Sequence, residues 1–510
     1  MSISSKAAKE EKIYTYEAPK PLKLMTWNPT TEKVALVLIL ALALGLRLFN
    51  LTRNSLWYDE TLDLDIAHRT PFWETFTIFS KYDVHPPLQF PVMHLWVKLV
   101  GLGEANVRLL SVIAAVITIA VTYYIARRYL DRKIAFTAML FLSVSPLQLF
   151  WSQSIRPYSW FALLVIISLG ATLFVSERPT QLWRWAIYIP LAAILPYTHY
   201  LGFHVILAEA VFLLFVFFRQ WGNILRLLVS LMLVGACFIP WLSNFLLQTT
   251  YGLTFFTNTG PSQLIATLVA FSSEFIPNGY LMLVGAVFLP LYLIGLIWVW
   301  QNRAKMAVFL FCSSLLPVFT SWLSSLIRPN FGIRYFMFCV PTFLMTVAVG
   351  IWVLARYWKY APYLALLAVL GLNLISEVNY TQHYSYQDWR GMVNHIVANQ
   401  QDNDLIFLSN PWNYTQPSFD YYYLHQLAAP GNLDRLAVTD QAKVKEQVAS
   451  IFKNRQRIWM VSLYDGYGNW VINNIFPNLP PGYKSTFKMQ YGNPEQSILE
   501  LILLEKQPEG

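Results

Sequence analysis

Eleven stretches of this 510-residue chain are apolar over nearly the length a helix needs to cross a bilayer, and nothing else in the sequence constrains the fold as tightly. A hydrocarbon core of roughly 30 Å calls for about 20 apolar residues in a helix. The runs lie at 34–50, 107–126, 134–150, 159–176, 183–197, 201–218, 224–242, 280–300, 305–325, 334–354 and 361–376. Backbone polar groups inside a bilayer must be satisfied within their own segment, so each run is read as a helix. The expected fold class is a polytopic α-helical membrane protein of about 11 transmembrane helices. Hydrophobic residues make up 56% and charged residues 13%, against about 25% charged in a soluble domain. That excludes a soluble globular enzyme, and the apolar content excludes a disordered chain.

The formal charge of +9 does not point to nucleic acid, because the bases stand beside the apolar runs. Membrane lipids are the expected neighbours. A polar tail, 1–33, carries Lys6, Lys9, Lys12, Lys20, Lys23 and Lys33 ahead of the first run and reads as an uncleaved cytoplasmic anchor. Counting outward from it, the inner connections hold Arg127, Arg128, Arg132 and Lys133; Arg178 and Arg184; Arg219 and Arg226; Arg303 and Lys305; Arg356 and Lys359. Short basic loops on one side predict that side to be cytoplasmic. The expectation is a multi-pass protein of the plasma (inner) membrane with its amino terminus cytoplasmic and its C-terminal part extracytoplasmic. Three regions follow: the tail 1–33, a membrane module 34–376 whose first outer loop is 50–106, and an outer domain 377–510. In that domain, helical spacing at Trp389–Asn399 and 441–452 alternates with strand-like runs at 404–409 and 457–463, which predicts a small α/β fold. Cys237, Cys312 and Cys339 lie in apolar runs and read as small core residues.

The first outer loop concentrates the chemistry. It contains Trp57-Tyr58-Asp59-Glu60, then Asp63 and Asp65, and later Tyr82-Asp83-Val84-His85-Pro86-Pro87-Leu88. If a helix starts near Asp59, Asp63 lies one turn below it and Glu60 also approaches Asp63. Crowded like charges beside a low-dielectric membrane raise the proton affinity of at least one carboxylate, which suits a general base. The plainer alternative makes Asp59 a helix cap and Glu60 a partner of the helix dipole. Trp57, Tyr58, Phe72 and Trp73 suit the lipid–water boundary, where a lipid substrate presents its head group. Asp83 and His85 bracket one residue and, with His199, form a candidate set for a divalent metal ion; a hydrogen-bonding role for His85 in the loop is the alternative. The segment from Leu88 to Val100 is expected to be a surface helix, too polar to cross.

Three arginines break the pattern on the base-poor outer side: Arg156, Arg328 and Arg334. A guanidinium presents a planar fork of donors that matches phosphate, and burial near lipid without an anion is costly. Arg156 with Tyr158, Arg328, and Arg334 with Tyr335 are therefore candidate phosphate-binding residues; snorkelling to lipid head groups is the alternative for each arginine.

The order of these motifs resembles the GT-C glycosyltransferases that use a polyprenyl-phosphate or dolichyl-phosphate sugar, in the branch of prokaryotic protein O-mannosyltransferases and lipid A aminoarabinose transferases (glycosyltransferase family 39-like). The likeness rests on Trp57-Tyr58-Asp59-Glu60, His85-Pro86-Pro87-Leu88, Arg108-Leu109-Leu110-Ser111, Ser145-Pro146 through Arg156-Pro157-Tyr158, Tyr197-Thr198-His199-Tyr200, Arg334-Tyr335 and Asp388-Trp389-Arg390. It implies that Asp59 is the catalytic acidic residue, with Glu60, its neighbour in the acidic pair, as a second catalytic residue. The aminoarabinose branch has a glutamate and a lysine before its Pro-Pro, where this chain has Val84 and His85. A metal site does not carry over at those positions, and Asp83 is the nearest carboxylate.

The expectation is a membrane glycosyltransferase on the outer face, transferring sugar with inversion from a polyprenyl-phosphate donor to a lipid, glycan or protein hydroxyl. Asp59 acts as base, and no nucleotide cofactor is needed because a lipid carries the activated sugar. A transporter or flippase of lipid-linked saccharides is the alternative; Glu209 is the ionisable residue inside a run that such a reading would use. A third reading gives the function to the outer domain, with the spans as its scaffold.

Overall fold

The structure is a computed structural model describing residues 28–77, 84–250, 260–383, 387–408, 415–426, 434–437, 444–464, 475–492 and 498–507. All eleven apolar runs are helical. They form α1 (Pro29–Leu48), α4 (Glu104–Tyr129), α5 and α6 (Arg132–Ser143 and Pro146–Ser152), α7 (Tyr158–Glu177), α8 (Leu182–Thr198), α9 (Gly202–Val216), α10 (Trp221–Thr250), α12 (Leu281–Asn302), α13 and α14 (Ala304–Ser314 and Leu316–Ser325), α15 (Val340–Val353) and α16 (Ala361–His383). The first outer loop contains α2 (Tyr58–Arg69) and α3 (Gln89–Val100), and α11 (Ser262–Ser273) is a further short apolar helix. The chain is thus a multi-pass membrane protein.

Among the described residues seven helices combine the length and apolarity to cross a bilayer: α4, α7, α10, α12 with the preceding turn, α13 with α14, α15 with its flanking turns, and α16; the bent pair α5–α6 makes up to eight. The sequence count of about 11 is higher because it includes the runs at 34–50, 183–197 and 201–218 as full crossings. Their helices fall short: α8 and α9 have 17 and 15 residues, and α1 opens on a polar turn and carries Arg47. α16 runs on to His383, past the boundary read at 376, with Asn379 Nδ2 donating to Phe275 O at 2.7 Å.

The break between α5 and α6, a bend of 56°, shapes the end of the bundle that meets the C-terminal domain. Pro146 opens α6, where a missing N–H is harmless, and the carbonyls that end α5 need other donors. Arg47 of α1, 0% exposed, supplies them: Nη1 donates to Ser143 O and Nη2 to Leu142 O, each at 3.1 Å. The chain then leaves α6 as Ser154-Ile155-Arg156. α12 and α15 cross closely because Gly295 and Gly350 are bare: a Cβ on Gly295 would strike Thr346 O and one on Gly350 would strike Leu291 O. At the opposite end the basic connections gather around two carboxylates, Glu32 with Arg127 at 2.9 Å and Arg132 at 3.1 Å, and Glu177 with Arg128 at 2.7 Å and Arg184 at 2.9 Å.

The outer domain is a mixed five-stranded sheet in the order β2-β1-β3-β5-β4. β1 (Leu405–Leu408) lies between β2 (Asp434–Ala437) and β3 (Arg457–Tyr464), all parallel; β5 (Ile498–Lys506) runs antiparallel to β3 and to the edge strand β4 (Tyr483–Tyr491). Period-two alternation divides its core. Leu405, Phe407, Ile458 and Met460 pack on Val448 and Phe452 of α18 (Val444–Phe452), which follows α17 (Trp389–Asn399) in the helix order. Ile406, Leu408, Trp459 and Val461 join Trp389, Met392 and Ile396 of α17 in a core that continues into Leu56, Leu64 and Met93 of the first outer loop. The small α/β domain expected from the sequence is present, and it shares a hydrophobic core with the loop that carries the acids.

Candidate functional site

α2 begins at Tyr58, which puts Asp59 and Glu60 in its first turn, where the helix dipole favours negative charge. Glu60 does not face outward. It is 1% exposed; its Oε1 accepts from Ser154 Oγ at 2.7 Å and Ile155 N at 2.9 Å, and its Oε2 accepts from Trp57 N at 3.2 Å and lies 3.5 Å from Arg108 Nη2. Asp63, one turn on, is 2% exposed and receives Arg156 Nη1 on both oxygens at 3.0 and 2.9 Å, with Gln89 Nε2 at 3.2 Å. Asp65 pairs at the surface with Arg69 at 2.6 Å. Two of the closely spaced acids are thus each offset by a guanidinium. The helix rotates Glu60 toward Arg108 and Asp63 toward Arg156, giving each buried acid its own guanidinium. Asp59, one turn before Asp63, is partly exposed.

Around Asp59 the distant parts of the chain come together. The Tyr58 hydroxyl hydrogen-bonds Asp59, and its acidity is pushed well below that of ordinary tyrosine by burial first and by the Asp59 charge next, while Arg334 and Arg156 pull the other way. Tyr158, at the start of α7, is within electrostatic reach of Arg334, Tyr335, Arg156 and Asp59. Its ring centroid lies 5.9 Å from that of Tyr335 and 6.2 Å from that of His199. Arg334 packs its guanidinium over Trp57 at 5.8 Å and Tyr335 at 5.3 Å, with Nη2 reaching the Tyr335 hydroxyl at 3.5 Å. Acid, tyrosines and guanidiniums thus face one another. Arg328 takes no part in the contacts just described; it is half-buried on the turn after α14, its N–H donating to Ser324 O at 3.1 Å.

Two histidines complete the basic side. Arg156 Nη2 donates to His85 Nε2 at 3.0 Å, and the loop bearing His85 is tied down by Gln248 Nε2 on His85 O at 3.2 Å and Leu88 N on Tyr197 O at 3.0 Å. His199 Nδ1 accepts from Leu201 N at 3.2 Å, and its ring stacks on Phe161 at 5.3 Å. Burial first, then the neighbouring basic groups His85, Arg156, Arg334 and His204, push the His199 pKa down to about 3, so the ring is neutral and carries its proton on Nε2.

These contacts bear on the candidate metal set. Asp83 lies outside the described residues, the Nε2 lone pair of His85 is engaged by Arg156, and the Nδ1 lone pair of His199 by a backbone N–H. Among the described residues no group of three His, Cys, Asp or Glu is gathered as a metal ion requires. A cation here would also meet Arg156 and Arg334, so the described residues suit an anion.

Sequence reasoning passed over Arg108 as the partner of Glu60. The signal was present, since an arginine at the head of an apolar run needs an acid or exposed carbonyls, and Arg108 has both: Nη1 donates to Leu51 O at 2.7 Å and Asn54 O at 3.0 Å. A cavity of about 170 Å³ is lined by Trp57, Glu60, Phe49, Arg53, Arg108 and Glu377, and not by Asp59. Glu209 is 1% exposed and accepts from Ser168 Oγ at 2.7 Å, packed between helices.

Residues 84–244 match the family model for dolichyl-phosphate-mannose-protein mannosyltransferase. In fold the chain is similar to ArnT from Cupriavidus metallidurans in the apo state, 14% identical, with a TM-score of 0.57 over 93% of this chain and 98% of that one. It is also similar to the same protein bound to undecaprenyl phosphate, 14% identical, TM-score 0.52, covering 91% and 97%. The archaeal oligosaccharyltransferase AglB from Archaeoglobus fulgidus, in complex with an inhibitory peptide and a dolichol-phosphate, is 12% identical with a TM-score of 0.53, covering 84% of this chain and 69% of that one. No curated protein sequence matches. The fold is the GT-C fold of these glycosyltransferases, and the resemblance read from the order of the motifs is met by both the family model and the structures.

Proposed function

We propose that this chain is a glycosyltransferase that moves a sugar from a polyprenyl-phosphate donor to an acceptor hydroxyl on the extracytoplasmic face, with Asp59 as general base. The observation that carries this reading is the gathering of Asp59, Arg156 and Arg334, from three distant stretches of chain, around Tyr58 and Tyr158, in a fold whose solved examples include complexes with undecaprenyl phosphate and dolichol-phosphate. The donor phosphate lies against Arg156 and Arg334, with the Tyr158 and Tyr335 hydroxyls as further donors; Arg328, on the turn before Arg334, helps draw the anion in. Asp59 takes the acceptor's proton as its oxygen forms a bond to the anomeric carbon. The bond from that carbon to the phosphate oxygen breaks on the opposite face, the electron pair leaves with the polyprenyl phosphate, and configuration inverts. Guanidiniums already oriented, Arg156 by Asp63 and Arg334 by Trp57 and Tyr335, stabilise that departing charge without reorganising. Glu60 holds the turn rather than reacting, since its two oxygens are occupied by four donors.

The same reading places the chain in the plasma (inner) membrane with the amino terminus inside. The collection of Arg127, Arg128, Arg132 and Arg184 at the end of the bundle opposite the site supports that orientation. The acceptor is a lipid, glycan or protein hydroxyl. The test presents purified protein in nanodiscs with a panel of undecaprenyl-phosphate-linked hexoses and pentoses plus a cell-envelope extract as acceptor, and follows release of undecaprenyl phosphate. Asp59→Asn is expected to lower turnover about 10²–10⁴-fold; near-normal turnover would remove Asp59 from its role.

A further inference from the structure

The first turn of a helix leaves its N–H groups without partners inside the helix, so whatever accepts from them sets how the turn is held. In α2 those acceptors come from two directions. Trp57 N donates to Glu60 within the helix, whereas Tyr58 N, one residue before Asp59, donates to Oε1 of Gln387 at 3.2 Å. Gln387 belongs to the outer domain. It is 1% exposed, and the same Oε1 accepts from Trp389 Nε1 at 2.9 Å; Trp389 is 0% exposed and roots α17 in the core beneath the sheet. A continuous path therefore runs from the core of the outer domain through Trp389 and Gln387 to the backbone beside Asp59.

Neighbouring contacts act on the same few residues. Leu56 N donates to the Tyr422 hydroxyl at 2.6 Å, Ser55 Oγ donates to Asp388 Oδ1 at 2.9 Å, and Asp388 in turn caps α17 by accepting from Gly391 N at 2.9 Å. Farther from the turn, Arg390 clamps the two parts together through Glu104, at 2.6 Å, and Thr52 O, at 2.8 Å. The first set touches the start of α2 directly; the side chain of Arg390 reaches it only at second hand, through Glu104, which also hydrogen-bonds the Tyr422 hydroxyl.

We infer that Gln387 is a positioning residue for Asp59, so that the outer domain is a built-in part of the catalytic geometry rather than a separate recognition module. This rests on the reading of Asp59 as the base. A misplacement near 1 Å at a reacting group costs about a hundredfold in rate, so loss of the Gln387 acceptor has a readable consequence.

The test uses the full chain in nanodiscs and two readouts. One needs no substrate: the pH midpoint of carbodiimide labelling at Asp59, followed by mass spectrometry, reports the disposition of Asp59 against Tyr58, Arg156 and Arg334. The other is turnover with the donor that the wild-type chain consumes. Gln387→Ala is expected to displace the labelling midpoint by half a pH unit or more and to lower kcat at least tenfold, with donor KM within threefold of wild type. Tyr422→Phe, which deletes one hydroxyl, shifts both readouts in the same sense by less, and decides alone if Gln387→Ala fails to fold. Arg390→Ala, which acts on the turn only through Glu104, moves the midpoint less than Gln387→Ala does. An unmoved midpoint in Gln387→Ala and Tyr422→Phe overturns the proposal, as does an equal shift from Arg390→Ala. An inactive Asp59→Asn with an unmoved midpoint in Gln387→Ala sinks this inference alone, whereas an active Asp59→Asn sinks the reading of the base.

Discussion

Asp63 and Arg156 are each nearly enclosed, at 2% and 4% exposed, so neither charge can lose the other without being left buried and unmatched. Removing one member of such a pair costs about 3–5 kcal/mol. Asp63→Asn is therefore expected to lower the thermal-unfolding midpoint markedly and to reduce turnover by releasing Arg156. Asp65→Asn, whose partner Arg69 is 51% exposed, should cost less than about 1 kcal/mol. His199 gives a pH signature of definite sign. Its pKa falls from an ordinary value of about 6.5 to about 3 on folding, burial being the leading cause. Between those values the unfolded chain binds the extra proton, so stability drops as pH falls through that window. Thermal unfolding of wild type and His199→Gln across pH 7 to 4 checks this: the wild type should lose more. Asp59, Arg156 and Arg334 were legible in the sequence because ionisable groups are conspicuous beside apolar runs. Their sharing of partners was not. Glu60 meets Arg108 and Ser154, and Tyr58 meets Gln387, across long stretches of chain that no local spacing encodes.

The helical elements were the most readable, since a run of apolar residues leaves the backbone little choice inside a bilayer. What the runs concealed is where a helix stops within one. The stretch 134–150 reads as continuous, yet Pro146 and the polar Ser143 and Ser145 divide it, and Arg47 from another run makes the division tolerable by accepting none and donating to the stranded carbonyls of α5. Arg47→Leu keeps the position apolar and removes those donors. The expected outcome is a loss of about 1–3 kcal/mol for the orphaned carbonyls, seen as a lower unfolding midpoint, together with lower turnover because the bend delivers Ser154-Ile155-Arg156 to the site. Unchanged stability would show that the bend does not need the guanidinium. In the outer domain β1 and β3 were visible as short apolar runs, whereas β4 is an edge strand with mostly exposed polar residues, YKSTFKMQY, and carries no such signal.

Across the whole molecule the sequence suggested three separable regions, and the structure joins two of them. One hydrophobic core includes Leu56, Leu64 and Met93 of the first outer loop together with Trp389, Tyr422 and Trp459 of the outer domain. The membrane bundle brings Arg156 and Arg334 to its outer end, the bend of α5–α6 sets their height, and the outer domain holds the turn bearing Asp59. Fold and site thus have the same cause: charged groups that cannot remain in the apolar bundle collect where it ends. The most direct measurement is an experimental structure of the protein with undecaprenyl phosphate bound. The account predicts phosphate density against Arg156 and Arg334, with the Asp59 carboxylate on the side where the sugar would lie. Phosphate held instead in the cavity lined by Arg53, Arg108 and Glu377 would contradict it.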